Sequence, residues 1–265
     1  MTDPGPKLIS VVMPSYNHAA FIGRTIGSVL GQTYSNFELI IVDNHSQDGT
    51  EAVVAACKDP RIKYVKFSNN GVIAASRNHG VGLSRGEYVA FVDSDDLWLP
   101  EKLEKQMEAF LSPGSPVMVY SRYKLITGDA VSEKVLPEAG KCAGGDIFKA
   151  LYLGHFIACS GVMVKKKVLD EAGGFDETPA FLAVEDMDLW LRLALAGPAA
   201  CACAEPLFLY RVHPGNLSRG YLKKYKRAMS LLVKFSKQAG FFTFARAAAQ
   251  LSFSVLRRKL GDSAE

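Results

Sequence analysis

Long apolar runs are missing from this 265-residue sequence. No stretch reaches the roughly 20 residues needed to span a bilayer. The most apolar part of the tail, Phe241 to Leu256, is broken by Arg246 and Gln250. Cysteine is sparse: five residues, at 57, 142, 159, 201 and 203, with no C-x-x-C pair and no disulfide-framework spacing. That excludes a small disulfide scaffold and leaves reduced thiols in a cytoplasmic protein as the expectation. The opening residues Met1-Thr2-Asp3-Pro4-Gly5-Pro6 have no charged segment followed by an apolar one, so no secretory leader is expected. A strong excess of one charge is lacking too; the formal net charge of +4 does not by itself imply a nucleic-acid partner. Internal repeats and low-complexity segments are absent.

Ordinary globular composition is present, with 48% hydrophobic residues, enough for a sizeable core. The length fits one large domain or two small ones. The most informative stretch is Tyr88-Val89-Ala90-Phe91-Val92-Asp93-Ser94-Asp95-Asp96. Its first half is a core strand by residue type. Its second half is three carboxylates, which cannot enter that core without partners. Ligands of open α/β sheets bind at the C-terminal strand ends. Asp93 and Asp95 together make a hard-oxygen pair suited to a divalent cation that also holds phosphates.

Periodicity gives an alternating β-α order. Strands are expected at Leu8 to Met13, Phe37 to Val42, Ile62 to Phe67 and from Tyr88. Helices are expected over Ala19 to Leu30, from a cap at Ser46 or Asp48 to about Cys57, and over Gly71 to Leu83. That alternation predicts a parallel sheet with right-handed crossovers. Further on come a helix from Glu101 to Leu111, a strand from Val117 to Tyr120, and a Gly-rich, charged loop from Thr127 to Gly145. Then follow a helix over Asp146 to Leu153, a strand over Ser160 to Val164 and a short helix over Lys165 to Ala172. Glu185 to Ala196 is a helix with a Gly197-Pro198 stop. Leu207 to Val212 is a strand, and the chain from Tyr221 onward is helical.

Three of these strands end in polar runs on one predicted edge: Pro14-Ser15-Tyr16-Asn17, Asp43-Asn44-His45-Ser46-Gln47-Asp48-Gly49-Thr50 and Asp93-Ser94-Asp95-Asp96. Together with Ala75-x-Arg77-Asn78-x-Gly80, Glu185-Asp186-x-Asp188-Leu189 and Tyr210-Arg211-Val212-His213, they make the sequence resemble glycosyltransferase family 2 over about residues 8 to 218. The resemblance implies a GT-A fold, a Rossmann-like, mostly parallel α/β sheet flanked by helices. It also implies inverting, metal-dependent transfer of one sugar from a nucleotide sugar, with UDP favoured. The implied domains are a catalytic domain, 1–218, with a nucleotide-binding half at about 8–100 and an acceptor half at 101–218, and a basic helical extension, 219–265.

Inverting transfer needs a base for the acceptor hydroxyl and positive charge for the departing diphosphate. By resemblance Asp186 is the base. Asp95 is the first ligand of Mn²⁺ or Mg²⁺, and His213 a further one; neutral imidazole is competent beside carboxylate and phosphate. Asp93 would hold the ribose or the metal from the other side, with Ser94 beside it. Asp43 resembles the residue that accepts a hydrogen bond from the base, Pro14 and Tyr16 shape the nucleoside pocket, and Arg77 faces the nucleotide or pairs with Asp43 or Asp93. Asp96 is either a helix cap or a contact to the sugar, Glu185 orients its neighbours or contacts the acceptor, and Trp190 is a core residue or stacks on the acceptor. His18, His45, His79 and His155 have no ligand spacing and are assigned no role. The run Gln-x-x-Arg-Trp, which in this family accompanies processive synthesis, is absent after Asp186, so single addition to a glycan or lipid-linked acceptor in cell-surface polysaccharide synthesis is expected.

Two rivals use the same residues. A sugar-1-phosphate nucleotidyltransferase would want a Gly-rich basic loop where Ser15-Tyr16-Asn17-His18 stands. A non-catalytic sugar-nucleotide-binding scaffold would be expected to lose Asp95 or Asp186. Beyond Tyr210, basic residues run from Arg211 to Lys259, opposed only by Asp262 and Glu265. Helices packing on the catalytic body or on a second subunit are one reading of this tail. Docking at the inner face of the cell membrane is the other. Nucleic acid is not expected as a partner.

Overall fold

The computed structural model describes residues 6–138, 144–215 and 221–261, with side chains of the last segment described over 225–253. Part of the expected Thr127 to Gly145 loop, residues 216–218 of the turn after His213, and Cys142 therefore lie outside the described residues.

The first half of the chain alternates strand and helix. Strands β1 (Ile9–Ser15), β2 (Phe37–Asp43), β3 (Ile62–Lys66) and β4 (Tyr88–Phe91) are separated by helices α1 (Ala19–Leu30), α2 (Thr50–Ala56) and α3 (Ile73–Leu83). The strands pair in parallel in the order β3-β2-β1-β4, with Ser15 level with Asp43. The order reverses at β1, so the crevice between the carboxyl ends of β1 and β4 is a topological switch point.

Alternation along the strands builds two cores. Ile9, Val11 and Met13 pack with α1, α2 and α4 (Lys102–Leu111) on one face. Val12, Val89 and Phe91 face the other way, toward α3 and the later helices. Gly80 lets α3 sit down on this second face: a Cβ there would meet Val12 Cγ1 at 2.5 Å. The glycine of the Arg77-Asn78-x-Gly80 run is therefore a close-approach residue.

The second half is mixed. Strands β5 (Leu97–Trp98), β6 (Met118–Thr127), β7 (Ala130–Leu136), β8 (Val162–Lys165) and β9 (Ala199–Arg211) extend the sheet to β3-β2-β1-β4-β8-β6-β9-β5, with β7 on β6. Helices α5 (Phe148–Leu153), α6 (Lys166–Glu171) and α7 (Glu185–Ala196) cover it. Three expectations are corrected here. The supposed loop after Thr127 contains β7, antiparallel to a β6 much longer than Val117 to Tyr120. Strand β9 starts at Ala199, eight residues before the expected Leu207. The two-residue β5, paired to β9, was not foreseen.

The tail folds into α8 (Tyr221–Lys234), α9 (Ser236–Ala239) and α10 (Phe241–Gly261). Leu231, Leu232, Phe235, Ala239 and Ala247 join the same core cluster as α5 and α7. Burial of the three larger ones, Leu231, Leu232 and Phe235, stabilises by about 1.5–3 kcal/mol each, so the tail is packed on the body. No helix among the described residues is long and apolar enough to cross a membrane. Cys57, Cys159 and Cys203 are free, whereas Cys201 carries a disulfide; the expectation of reduced thiols throughout is corrected at that residue.

Candidate active site

The two loops that follow β1 and β2 lock each other. Asp43, fully buried at the end of β2, accepts hydrogen bonds from Ser46 N at 2.8 Å and Ser46 Oγ at 2.5 Å. Ser46 Oγ in turn accepts one from Asn17 N, and Asn17 Oδ1 one from Gln47 N. Asp48 accepts from Ala19 N at the start of α1 as well as from Thr50 N. The N-cap of α2 is Gly49, in place of the expected Ser46 or Asp48, and Asp48 just before it ties the starts of both helices together. Asn17 and His45 take positive φ, 51° and 55°, a region Asn and His tolerate better than most residues. Pro14 is buried in β1, while Tyr16 stands out from the crevice at 53% exposure.

Opposite them, beyond β4, the four-residue acidic run divides its labour. Asp96 is buried and saturated: Ser160 Oγ donates at 2.5 Å and Arg211 N at 2.8 Å. Burial, followed by the charges of Asp95 and Asp93, pushes its carboxyl well above the usual range. It is a structural brace between β4 and β9. Ser94 is buried, its Oγ 2.6 Å from His18 Nδ1. Asp93 remains partly open, its side chain 28% exposed, with Oδ1 accepting from Arg77 Nη2 at 2.8 Å.

Asp95 faces two histidines. His213 Nε2 lies 2.8 Å from Asp95 Oδ2, and His18 offers a ring nitrogen such that all three donor atoms fall within 4.8 Å of one another. The sequence pairing of Asp95 with His213 is thus met by proximity in space. His18, left without a role by linear spacing, joins them. Its backbone N–H is held by Thr50 Oγ1 and its ring by Ser94, so a serine already fixes the orientation of this imidazole. Two imidazoles and a carboxylate form a donor set fitting a divalent transition ion.

Arg77 ties this rim to the later part of the chain. Its guanidinium, only 4% exposed, donates to Asp93 and, through Nη1 at 2.7 Å, to Glu185 Oε1 at the start of α7. It also lies over the Phe175 ring at 5.3 Å. Glu185 is buried, and that burial, helped by the charge of Asp186, raises its carboxyl pKa against the lowering influence of Arg77. Enclosed and paired, Glu185 orients the Arg77 guanidinium. Of its two readings Trp190 takes the core one: it is fully buried, edge-on to Phe175, beneath α7.

Asp186 is the carboxylate of α7 that is left partly open, 18% exposed. Met187 N donates to its Oδ1 at 2.8 Å, and His155 Nε2 lies 3.6 Å from Oδ2. Two residues further along, Asp188 is enclosed between Arg192 at 2.7 Å and Lys234 of α8 at 2.7 Å.

Residues 10–173 match glycosyl transferase family 2. The sequence is similar to an Escherichia coli enzyme named UDP-Glc:alpha-D-GlcNAc-diphosphoundecaprenol beta-1,3-glucosyltransferase WfgD, 31% identical over 230 residues, 86% of each chain. Among solved structures it is similar to residues 1–349 of S. aureus TarS in complex with UDP-GlcNAc, with TM-score 0.71 and 18% identity over 92% of this chain and 71% of that one. It is also similar to the mannosyltransferase PcManGT of Pyrobaculum calidifontis in complex with GDP-Man and Mn²⁺, with TM-score 0.65 and 17% identity over 97% and 79% of the two chains. At such identities the structural likeness establishes the fold.

Proposed function

The chain belongs to glycosyl transferase family 2 and is a glycosyltransferase of GT-A fold; from that premise we propose that it moves one sugar, with inversion, from a UDP-sugar to a hydroxyl of a lipid-linked glycan in cell-surface polysaccharide synthesis. The observation that carries this reading is the meeting of His18, Asp95 and His213 at the switch point, with Arg77 bridging Asp93 to the residue beside Asp186.

Residues 8–100 serve the donor in this reading. Asp43 accepts the N–H of the base at the bottom of the crevice, with Pro14 and the exposed ring of Tyr16 around the nucleoside. A carboxylate already held by two hydrogen bonds offers its remaining lone pairs in a fixed direction. Asp93, Ser94 and Arg77 border the ribose and the ion site. His18, Asp95 and His213 would hold a divalent ion, with Mn²⁺ favoured over Mg²⁺ because two of the three donors are imidazoles. Such an ion supplies positive charge for the departing diphosphate.

Residues 101–218 serve the acceptor. Asp186 accepts the proton of the attacking hydroxyl as its oxygen bonds to the anomeric carbon, and the bond from that carbon to the diphosphate oxygen breaks with its electron pair leaving on UDP. The basic extension, 219–265, keeps the enzyme at the membrane where a lipid-linked acceptor resides.

Titration calorimetry with UDP tests the donor side. Mn²⁺-dependent binding that disappears in EDTA is expected, and equal affinity in EDTA would overturn the role of Asp95.

A further inference from the structure

Helix α10 has two different faces. Phe244, Ala247 and Leu251 turn toward the core cluster. On the opposite side Phe242, Arg246, Ala249 and Phe253 follow one another at i, i+4, i+7 and i+11, the spacing of a single helical stripe. All four are exposed; Phe242 is 87% and Phe253 66% accessible, with Phe241 beside them at 76%. Single exposed apolar residues are ordinary, but aligned phenylalanines on a helix already anchored by its other face call for an occupant.

We infer that this stripe is the docking surface for an anionic lipid bilayer. The inference rests on the lipid-linked acceptor proposed above and names the residues that reach the membrane. Charge selects the occupant. No Asp or Glu occurs anywhere between Glu205 and Asp262. Arg246 stands inside the apolar stripe, and Lys226 and Lys237 are exposed on the adjoining helices α8 and α9. A subunit interface depletes charge from its centre and meets charge of either sign. Phenylalanines interleaved with cations of one sign instead match the boundary between acyl chains and anionic headgroups. Because no described helix is apolar enough to cross, the contact is one of lying on the surface.

The test is flotation of the full chain with vesicles that contain no acceptor, made either of phosphatidylcholine alone or with phosphatidylglycerol. Binding to the anionic vesicles that weakens at high salt is expected. Phe242→Ser with Phe253→Ser should reduce it about tenfold or more, and Arg246→Glu should remove most of the preference for anionic lipid. Both variants alter exposed residues, so melting temperature and Mn²⁺-dependent UDP binding should stay as in the parent protein. Vesicle binding unchanged by the double substitution overturns the inference, as does failure of the parent chain to float. A double variant that instead turns a dimer into a monomer would assign the stripe to a second copy of this chain and also overturn it. Transfer to a lipid-linked acceptor in detergent, measured separately, tells a failure of the acceptor reading from a failure of docking.

Discussion

The proposed donor rim and the proposed acceptor side of the crevice are built to different tolerances. On the donor rim each acidic group is held by short-range partners: Asp43 by Ser46, Asp96 by Ser160 and Arg211, and Asp95 by His213 and Arg211, whose Nε donates to the Asp95 carbonyl. On the acceptor side Asp186 has one backbone amide and a histidine 3.6 Å away. Electrostatic preorganisation is worth most where the charge to be stabilised is always the same, as with a diphosphate. A group that must meet acceptors and exchange protons gains from fewer fixed bonds. Arg77 is where the two regimes touch.

The comparison is broken most severely at Asp186. Asp186→Asn should leave UDP binding intact and lower transfer by about 10²–10⁴-fold; retained turnover in a steady-state assay removes Asp186 as the base. Next comes Arg77→Met, which leaves Asp93 and the buried Glu185 without their shared cation. A loss of about 3–5 kcal/mol is expected in denaturant unfolding, and a variant of parental stability would mean the two sides are not joined there. His18→Ala sharpens the comparison within the donor rim. Mn²⁺ affinity measured by calorimetry should fall about 10–100-fold, while unfolding of the apo protein should change little.

The smallest effect concerns Lys102, buried on α4 with its ammonium 2.7 Å from Gln106 Oε1 and 3.9 Å from the centre of the Trp98 ring. Gln106 in turn donates to Gly161 O, beside the Ser160 that braces Asp96. Burial drives the lysine pKa well below its ordinary value. Between the folded and unfolded pKa values the unfolded chain binds the extra proton, so stability contributed at this position rises with pH. Lys102→Met should flatten that rise in melting temperature as pH climbs toward the ordinary lysine pKa; an unchanged slope would show that the lysine stays charged in the fold.

Much of this was legible in one dimension. Helices α1 and α7 run over the residues expected from their apolar spacing, because one-sided burial imposes a 3.6-residue period that few alternatives share. The polar runs at the ends of β1, β2 and β4 were equally plain. What escaped was pairing across distance. Strand β7 is exposed along much of its length, so it shows no buried face in its sequence. The early part of β9, Ala199-Ala200-Cys201-Ala202-Cys203, has no β-branched residue to announce a strand. His18 lies 77 residues from Asp95 and 195 from His213 in the chain, and only the sheet order brings them together. Asp96, Glu185 and Trp190 sit inside the same motifs as the more open Asp93 and Asp186, yet their side chains are buried. A motif names a neighbourhood without saying which of its members faces the ligand.

Lys234 gives the tail a second meaning. Its ammonium is shared between Asp188, fully enclosed on the helix of the proposed base, and Asp176, and it lies 4.5 Å from the Phe181 ring centre. A chimaera that exchanged everything after residue 220 for a relative's sequence would therefore remove the counter-charge of Asp188 along with the proposed address label. Grafts that restore a cation at this position should remain competent, whereas those that omit it would leave Asp188 leaning on Arg192 alone.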